Sequence, residues 1–306
     1  MDFKTTSSGK ILMTSEYVVL KGALALAIPT RFKQSLIFIK KKSNKLIWKS
    51  YDSKNKIWFN CEFNLSNLHF TNSSNNQKGK VLQSILRSAK KMNSSFLSSN
   101  SGGIVKTKLD FPNDWGLGSS STLINNIANW AKIDPYKLLW SNYKGSGYDI
   151  ACAKSKTPLL YKLENSLPII QETSFKPVFS DNLFFIHLNK KQETNNQIKI
   201  FNAKKISSNV ILAFSQLTKK FISSNNLIEF QNCIKKHELL LSKELKRKPI
   251  KEILFKDYKG EIKSLGAWGG DFILAAGPID SPSYFTKKGF KTIIHFKKMF
   301  KKMSLA

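Results

Sequence analysis

Between the apolar run IVKTKLDF at 104–111 and the helical-looking stretch LINNIANW at 123–130 lies GLGSSST, residues 116–122. A glycine-rich turn that feeds a helix leaves several backbone N–H groups pointing outward with the helix dipole behind them, and phosphate oxygens fit there. Gly116 and Gly118 let the backbone approach a bulky anion and take positive φ, while Ser119, Ser120, Ser121 and Thr122 can cap the helix, bind phosphate or offer a hydroxyl to Mg²⁺. The same residues would also serve as a plain Gly-Ser turn with one N-cap serine. The spacing GxxxxGK[ST] is missing, so this is not a Walker A loop.

Outward from this loop, the chain reads as folded. Its 306 residues allow two packed cores, and 41% hydrophobic content with 22 Phe argues against disorder. The N-terminus has no basic start followed by a long apolar core, and no segment approaches a spanning length of apolar residues, so a soluble, cytoplasmic protein with no membrane partner is expected. Cys61, Cys152 and Cys233 are scattered and lack metal-type spacing, which suggests buried small apolar residues rather than disulfides or zinc ligands.

A net charge of +30 invites a nucleic-acid reading, because basic surface supplies the counterion-release term of non-specific binding. The kind of base argues against it. Only Arg31, Arg87 and Arg247 of the 50 basic residues are arginine, whereas base-edge and bidentate phosphate recognition favour the guanidinium fork. Lysine is also spread along the whole chain, so no dedicated nucleic-acid partner is expected, only weak incidental binding.

The first 70 residues read as strand-rich: ILMTSEYVVL, SLIFIK, KLIWKSYD and KIWFNCEFN, the last two flanking SKN as a hairpin. The stretch 78–92 places Val81, Ile85, Leu86 and Ala89 on one helical face, between polar tracts TNSSNNQKG and NSSFLSSNSGG that read as loops. The helix after GLGSSST buries Leu123, Ile124, Ile127, Ala128 and Ala131, and Asp134-Pro135 opens a short second helix. Strands PLLYKLE and LPIIQE follow GSGYDIACA at 145–153. A boundary falls near 173–181, giving domains 1–175 and 176–306. Beyond it come the strand NLFFIHL, helices at about 202–222 and 226–246, strands EIKSLGAW and DFILAAG, and a last helix and strand around SPSYFTKKGFKTIIHF. The fold class expected is α+β.

Three stretches stand in the order of the signature motifs of the GHMP kinases: SSGKILMTSEYVVLKGALALAIPTR at 7–31, DFPNDWGLGSSSTL at 110–123 with GSGYDIACA, and SLGAWGGDFIL at 264–274. The chain resembles that superfamily along nearly its whole length, and GSGYDIA resembles the branch named after its GYDIA residues, close to mevalonate kinase and phosphomevalonate kinase. The resemblance implies a two-domain fold, with an N-terminal domain like the second domain of ribosomal protein S5 and a ferredoxin-like C-terminal domain, ATP and the acceptor meeting between them.

By position, the resemblance gives Gly116, Leu117, Gly118, Ser119, Ser120 and Ser121 to the ATP phosphates, with Ser119 or Ser120 as the Mg²⁺ hydroxyl. Asp149 falls where the acceptor hydroxyl proton is taken, Lys10 where a lysine faces the transferred phosphoryl group, and Gly147 and Glu16 at acceptor-side positions. Gly266, Ala267, Gly269 and Gly270 would form a close-approach loop at the phosphates. Trp268 would shape the acceptor pocket, and Thr194 in KKQET would touch substrate. Asp149 could instead be an ordinary N-cap, Lys10 one solvated lysine among many, Glu16 a structural ion-pair member and Trp268 a core residue; His237 is expected on a helix face with no chemical task. Phosphoryl transfer needs such groups: positive charge on developing anionic oxygens and a carboxylate that orients the nucleophile.

Trp268 and Asp271 depart from the all-small third motif. The interval KIDPYKLLWSNYKG, before Asp149, is shorter than in mevalonate kinase-like relatives and holds one acid, Asp134. The resemblance implies an ATP- and Mg²⁺-dependent kinase, monomeric or homodimeric, acting on a small-molecule alcohol or phosphate acceptor such as phosphomevalonate or mevalonate. Homoserine or a sugar is the alternative acceptor, and a non-catalytic basic nucleic-acid-associated protein the alternative class.

Overall fold

The computed structural model describes residues 2–98, 100–189, 201, 204–266, 268 and 270–300. Two compact units divide the chain, and each is assembled from separate segments. The first takes the N-terminal stretch to Gly9, Phe32–Asn113 and Gly118–Lys154; the second takes Lys10–Arg31, Asp114–Leu117 and the chain from Ser155 on. The strands on either side of residues 173–181, one ending at Glu172 and one beginning at Leu183, belong to different sheets but to the same unit.

The strands β1 (Phe3–Leu12), β2 (Ala25–Lys40), β3 (Lys45–Tyr51), β4 (Ile57–Asn64), β5 (Phe70–Ser73) and β6 (Gly103–Leu109) supply the first unit's sheet in the order β5-β4-β3-β6-β2, with β1 also on β2; the end of β1 and the start of β2 belong to the second unit. The strands β3 and β4 form the hairpin predicted around SKN, and β3 runs parallel to β6. Helix α1 (Asn76–Met92) is capped by the Asn75 side chain, which accepts from Lys78 N–H. It buries Leu82, Ile85, Leu86 and Ala89 at the spacing i, i+3, i+4, i+7. Val81, expected on that face, is exposed, because it lies one residue off the stripe that Leu82 occupies. Each buried Leu or Ile removed from water contributes roughly 1.5–3 kcal/mol before entropy is counted. Helices α2 (Ser119–Ala131), α3 (Pro135–Trp140) and α4 (Tyr148–Lys154) share this core through Ile124, Ile127, Leu138 and Ile150.

In the second unit the start of β2 pairs with β7 (Leu159–Glu164), which pairs with β8 (Leu167–Glu172). A four-stranded antiparallel sheet has the order β10 (Glu261–Ser264), β11 (Phe272–Ala276), β9 (Leu183–His187) and β12 (Ile293–His295). Among the described residues, helices α5 (Ser208–Ser223), α6 (Leu227–Leu245), α7 (Ile250–Leu254), α8 (Ser281–Lys287) and α9 (Phe296–Met299) belong to this unit. Stacked phenylalanines Phe175, Phe221 and Phe230 account for part of the heavy Phe usage. Cys61, Cys152 and Cys233 are buried, and none is in a disulfide. No helix among the described residues is long and apolar enough to cross a membrane.

The expected strand ILMTSEYVVL is not one. The strand β1 ends at Leu12, Ser15 and Tyr17 take φ of 61° and 63°, and Val18–Lys21 form a 3-10 turn. Buried polar side chains break the ladder: Thr14 Oγ1 accepts from Leu26 N–H, and Ser15 Oγ donates to the Leu24 carbonyl. The tract TNSSNNQKG likewise contains the end of β5 and the start of α1, and EIKSLGAW leaves its strand at Ser264.

Candidate active site

Within the second unit, three segments far apart in sequence line one small, half-open pocket. They are the end of β1 (Lys10, Ile11, Leu12), the turn Trp115-Gly116-Leu117, and Leu265, Gly266, Asp271 and Phe272. Main-chain pairing sets the first two in register, Lys10 N–H donating to the Leu117 carbonyl at 2.9 Å. The Lys10 ammonium donates to the Gly116 carbonyl at 3.1 Å, which holds the charge at the turn. Gly116 has φ +64°, and a Cβ there would stand 2.3 Å from Asp271 Oδ2, so the turn and the Asp271 carboxylate fit only because this residue is glycine. Asp271 itself has φ 52°, its carbonyl fixed by Leu188 N–H at 2.8 Å, and Trp115 meets Phe272 edge-on at 5.5 Å. Gly270 is buried in the same loop; Ala267 and Gly269 lie outside the described residues. Lys10, Gly116, Leu117 and Gly266 are thus brought together, joined by Asp271, which the sequence marked only as a departure from the small-residue pattern.

In the first unit, Gly118 opens α2 with φ +88° and no side-chain cap. The Ser121 hydroxyl donates to the Gly118 carbonyl at 2.9 Å and the Thr122 hydroxyl to Gln34 Oε1 at 2.7 Å. Ser119 and Ser120 keep hydroxyls and backbone N–H groups that make no hydrogen bond among the described residues, and the Ser121 N–H is also unspent. Three donors and two hydroxyls at the head of a three-turn helix constitute an anion-receiving terminus. Below it, a neutral network pins the helix: Ser7 Oγ donates to Asn126 Oδ1 at 2.7 Å, and Asn126 Nδ2 to the Gln34 carbonyl at 2.9 Å.

Asp149 sits in the first turn of α4, after Gly147 at φ +85°. Its Oδ1 is buried and has no hydrogen-bond partner among the described residues. Asp134, the one acid in the shortened interval, accepts from Lys137 N–H at 2.9 Å and is committed to capping α3. Among the described residues no group of three His, Cys, Asp or Glu could hold a metal. A Mg²⁺ here fits the hydroxyls of Ser119 and Ser120 together with nucleotide phosphates rather than a protein cage of acids.

Glu16 and Trp268, expected at the acceptor, are instead buried in the second unit at 1% and 2% exposure. Glu16 Oε1 accepts from Lys263 Nζ at 2.5 Å, and Lys263 lies 3.6 Å from Glu238 Oε1. Trp268 Nε1 donates to Glu238 at 3.3 Å, while Ser264 donates to the same carboxylate from both N–H and hydroxyl. Taking these charges out of water is costly, so each carboxylate is tied to Lys263 or its neighbours, while Glu16 Oε2 is buried with no hydrogen-bond partner among the described residues. Burial pushes the Glu16 carboxyl up to about 7, with Lys263 pulling it partly back. His237 is buried too and structural: its Nε2 accepts from Ser15 N–H at 2.8 Å, and burial, then Lys263, hold it well below its usual range as a neutral ring. Lys263 and Glu238 were missed because a helix glutamate and one more lysine carry no sequence signal of burial. Thr194 lies outside the described residues.

No protein-family model and no curated protein matches the sequence. Solved structures do. The mevalonate kinase of Methanococcus jannaschii is similar at 16% identity and TM-score 0.66, with 95% of this chain and 96% of that chain covered. The Streptococcus pneumoniae phosphomevalonate kinase in complex with phosphomevalonate and AMPPNP matches at 15% and 0.66, covering 95% and 99%. Lactococcus lactis galactokinase complexed with galactose matches at 13% and 0.60, covering 93% and 87%. These neighbours are GHMP kinases, and this chain has the two-domain α+β fold of the GHMP kinases.

Proposed function

We propose that this chain is an ATP-dependent kinase that transfers the γ-phosphoryl group to a small-molecule acceptor. The observation that carries the reading is the convergence of Lys10, Gly116, Leu117 and Gly266 on one pocket, since those residues come from all three motifs. The unspent N–H groups and hydroxyls at Ser119 and Ser120, which follow Gly118 in the chain, support it from the first unit.

Gly116, Leu117, Gly118 and Ser121, with Gly266, Ala267, Gly269 and Gly270, are assigned to the ATP phosphates. Bound Mg²⁺, reached by the Ser119 or Ser120 hydroxyl, would neutralise charge on the phosphate oxygens. Lys10 supplies a positive charge to the anionic oxygens of the transferred group, and the helix terminus supplies N–H donors. Asp149 takes the proton as the acceptor oxygen bonds to phosphorus and the bond from phosphorus to the ADP oxygen breaks. Gly147 sets the approach to Asp149. Phosphomevalonate is the leading acceptor, supported by the GSGYD and SEY motifs and by the phosphomevalonate kinase neighbour; mevalonate is second, then homoserine or a sugar.

Coupled ADP release over mevalonate, phosphomevalonate, homoserine and simple sugars tests this directly. Turnover with one of them is expected, reduced at least about 100-fold in Asp149→Ala as befits loss of a general base. No turnover with any acceptor, together with no ATP-induced thermal shift, would overturn the kinase reading.

A further inference from the structure

The short helix α3 and the GSGYD loop are built onto each other, and neither the fold nor the motif explains one atom there. Tyr136 and Trp140, one turn apart on α3, pair with ring centroids 5.3 Å apart. Gly147 rests on both: a Cβ on it would stand 3.1 Å from Tyr136 Cε1 and 3.3 Å from Trp140 Cζ2. Trp140 Nε1 donates to the Gly145 carbonyl at 3.2 Å, so the aromatic pair carries the loop that delivers Asp149. The Tyr136 ring explains itself in this way; its hydroxyl does not. Tyr136 is 9% exposed, and its oxygen is buried with no hydrogen-bond partner among the described residues, as is Asp149 Oδ1. A buried hydroxyl left unpaired costs stability that Phe would not incur, so it calls for a functional account.

The two orphan atoms are complementary. Burial, with Cys152, Asp134 and Asp149 acting in the same direction, pushes the phenol pKa far up and keeps it a donor, while a carboxylate oxygen only accepts. Catalytic hydrogen bonds are often unmade without substrate and close when the acceptor arrives. We propose that Tyr136 is a positioning residue for Asp149: its ring seats the loop at Gly147, and its hydroxyl donates to Asp149 Oδ1 in the acceptor complex, leaving the second carboxylate oxygen for the acceptor proton. This rests on the kinase reading above.

The test is Tyr136→Phe, which keeps the ring and removes the hydroxyl. Expected are a melting temperature equal to or above the parent, an unchanged ATP-induced thermal shift and KM for ATP, and kcat lower by about tenfold or more on the acceptor that the parent turns over. In the Asp149→Asn background the same change should add nothing, because the hydroxyl acts through that carboxylate. Tyr136→Leu, which also removes the seat for Gly147, should melt lower. An active parent with an equally active Tyr136→Phe variant would overturn this proposal alone, as would a fall in both melting temperature and ATP affinity. A parent without turnover or ATP response would overturn the kinase reading and this proposal with it.

Discussion

Gly116 is the residue on which the pocket depends most. It takes φ +64°, and an added Cβ would meet Asp271 Oδ2 at 2.3 Å and Cγ at 2.4 Å. Gly116→Ala should therefore cost about 1–2 kcal/mol for left-handed backbone and roughly 1–3 kcal/mol for overpacking, read by urea unfolding, with loss of the ATP-induced thermal shift. Gly145→Ala is the control, since nothing lies within 4 Å of its added Cβ. Adding Asp271→Gly to Gly116→Ala removes the obstructing carboxylate and should recover the overpacking part, not the backbone part. A Gly116→Ala chain as stable as the Gly145→Ala control would refute this account. Both Gly116 and Gly118 were legible in the sequence because only glycine sits comfortably at such φ, and a short Gly-x-Gly before serines announces it. Asp271 as the neighbour of Gly116 was not legible, because 155 positions separate them and no local pattern links their side chains.

At the scale of elements, the periodic stretches were the readable ones: the hairpin of β3 and β4, α1, α2 and the Asp134-Pro135 start of α3 all follow from local spacing and capping. The segment after Leu12 was misread, since its apolar residues resemble a strand while the side chains of Thr14, Ser15 and Glu16, and the Ser15 N–H, are spent on other elements. Those contacts tie the turn after β1 to α6 and β10 through a buried cluster of Glu16, Lys263, Glu238 and His237. With His237 neutral, two carboxylates face one ammonium, so the ionised cluster carries one excess negative charge. The folded Glu16 carboxyl sits at about 7 against 4.5 ordinarily. The folded chain thus holds this proton more tightly than the unfolded chain does. The resulting stability is fully present below about pH 4.5 and is lost as pH rises through about 7. Glu16→Gln keeps a neutral side chain of the same shape, so its melting temperature should decline less than the parent's between pH 5 and about pH 7.5. Parallel curves for the two proteins would exclude Glu16 as the source.

For the whole molecule, the net charge of +30 is the most conspicuous feature and the least informative about the site. The pocket uses one ammonium, Lys10, and a second lysine, Lys263, is fully buried; composition alone distinguishes neither from the rest. Lysine-rich surface still attracts polyanions through counterion release, and such binding falls steeply with salt. Fluorescence anisotropy with a labelled DNA duplex should therefore show binding at about 50 mM salt that is largely gone by about 200 mM, with no preference between unrelated sequences. The same duplex at about 200 mM salt should leave acceptor-dependent ADP release unchanged, because loose surface attraction does not occupy the turn at Gly116. The arginine count points the same way, since three guanidinium groups are too few for dense base-edge readout. Sequence-selective binding that survives physiological salt, in a chain that releases no ADP, would instead favour the nucleic-acid reading of this fold, because surface charge alone supplies neither selectivity nor salt resistance.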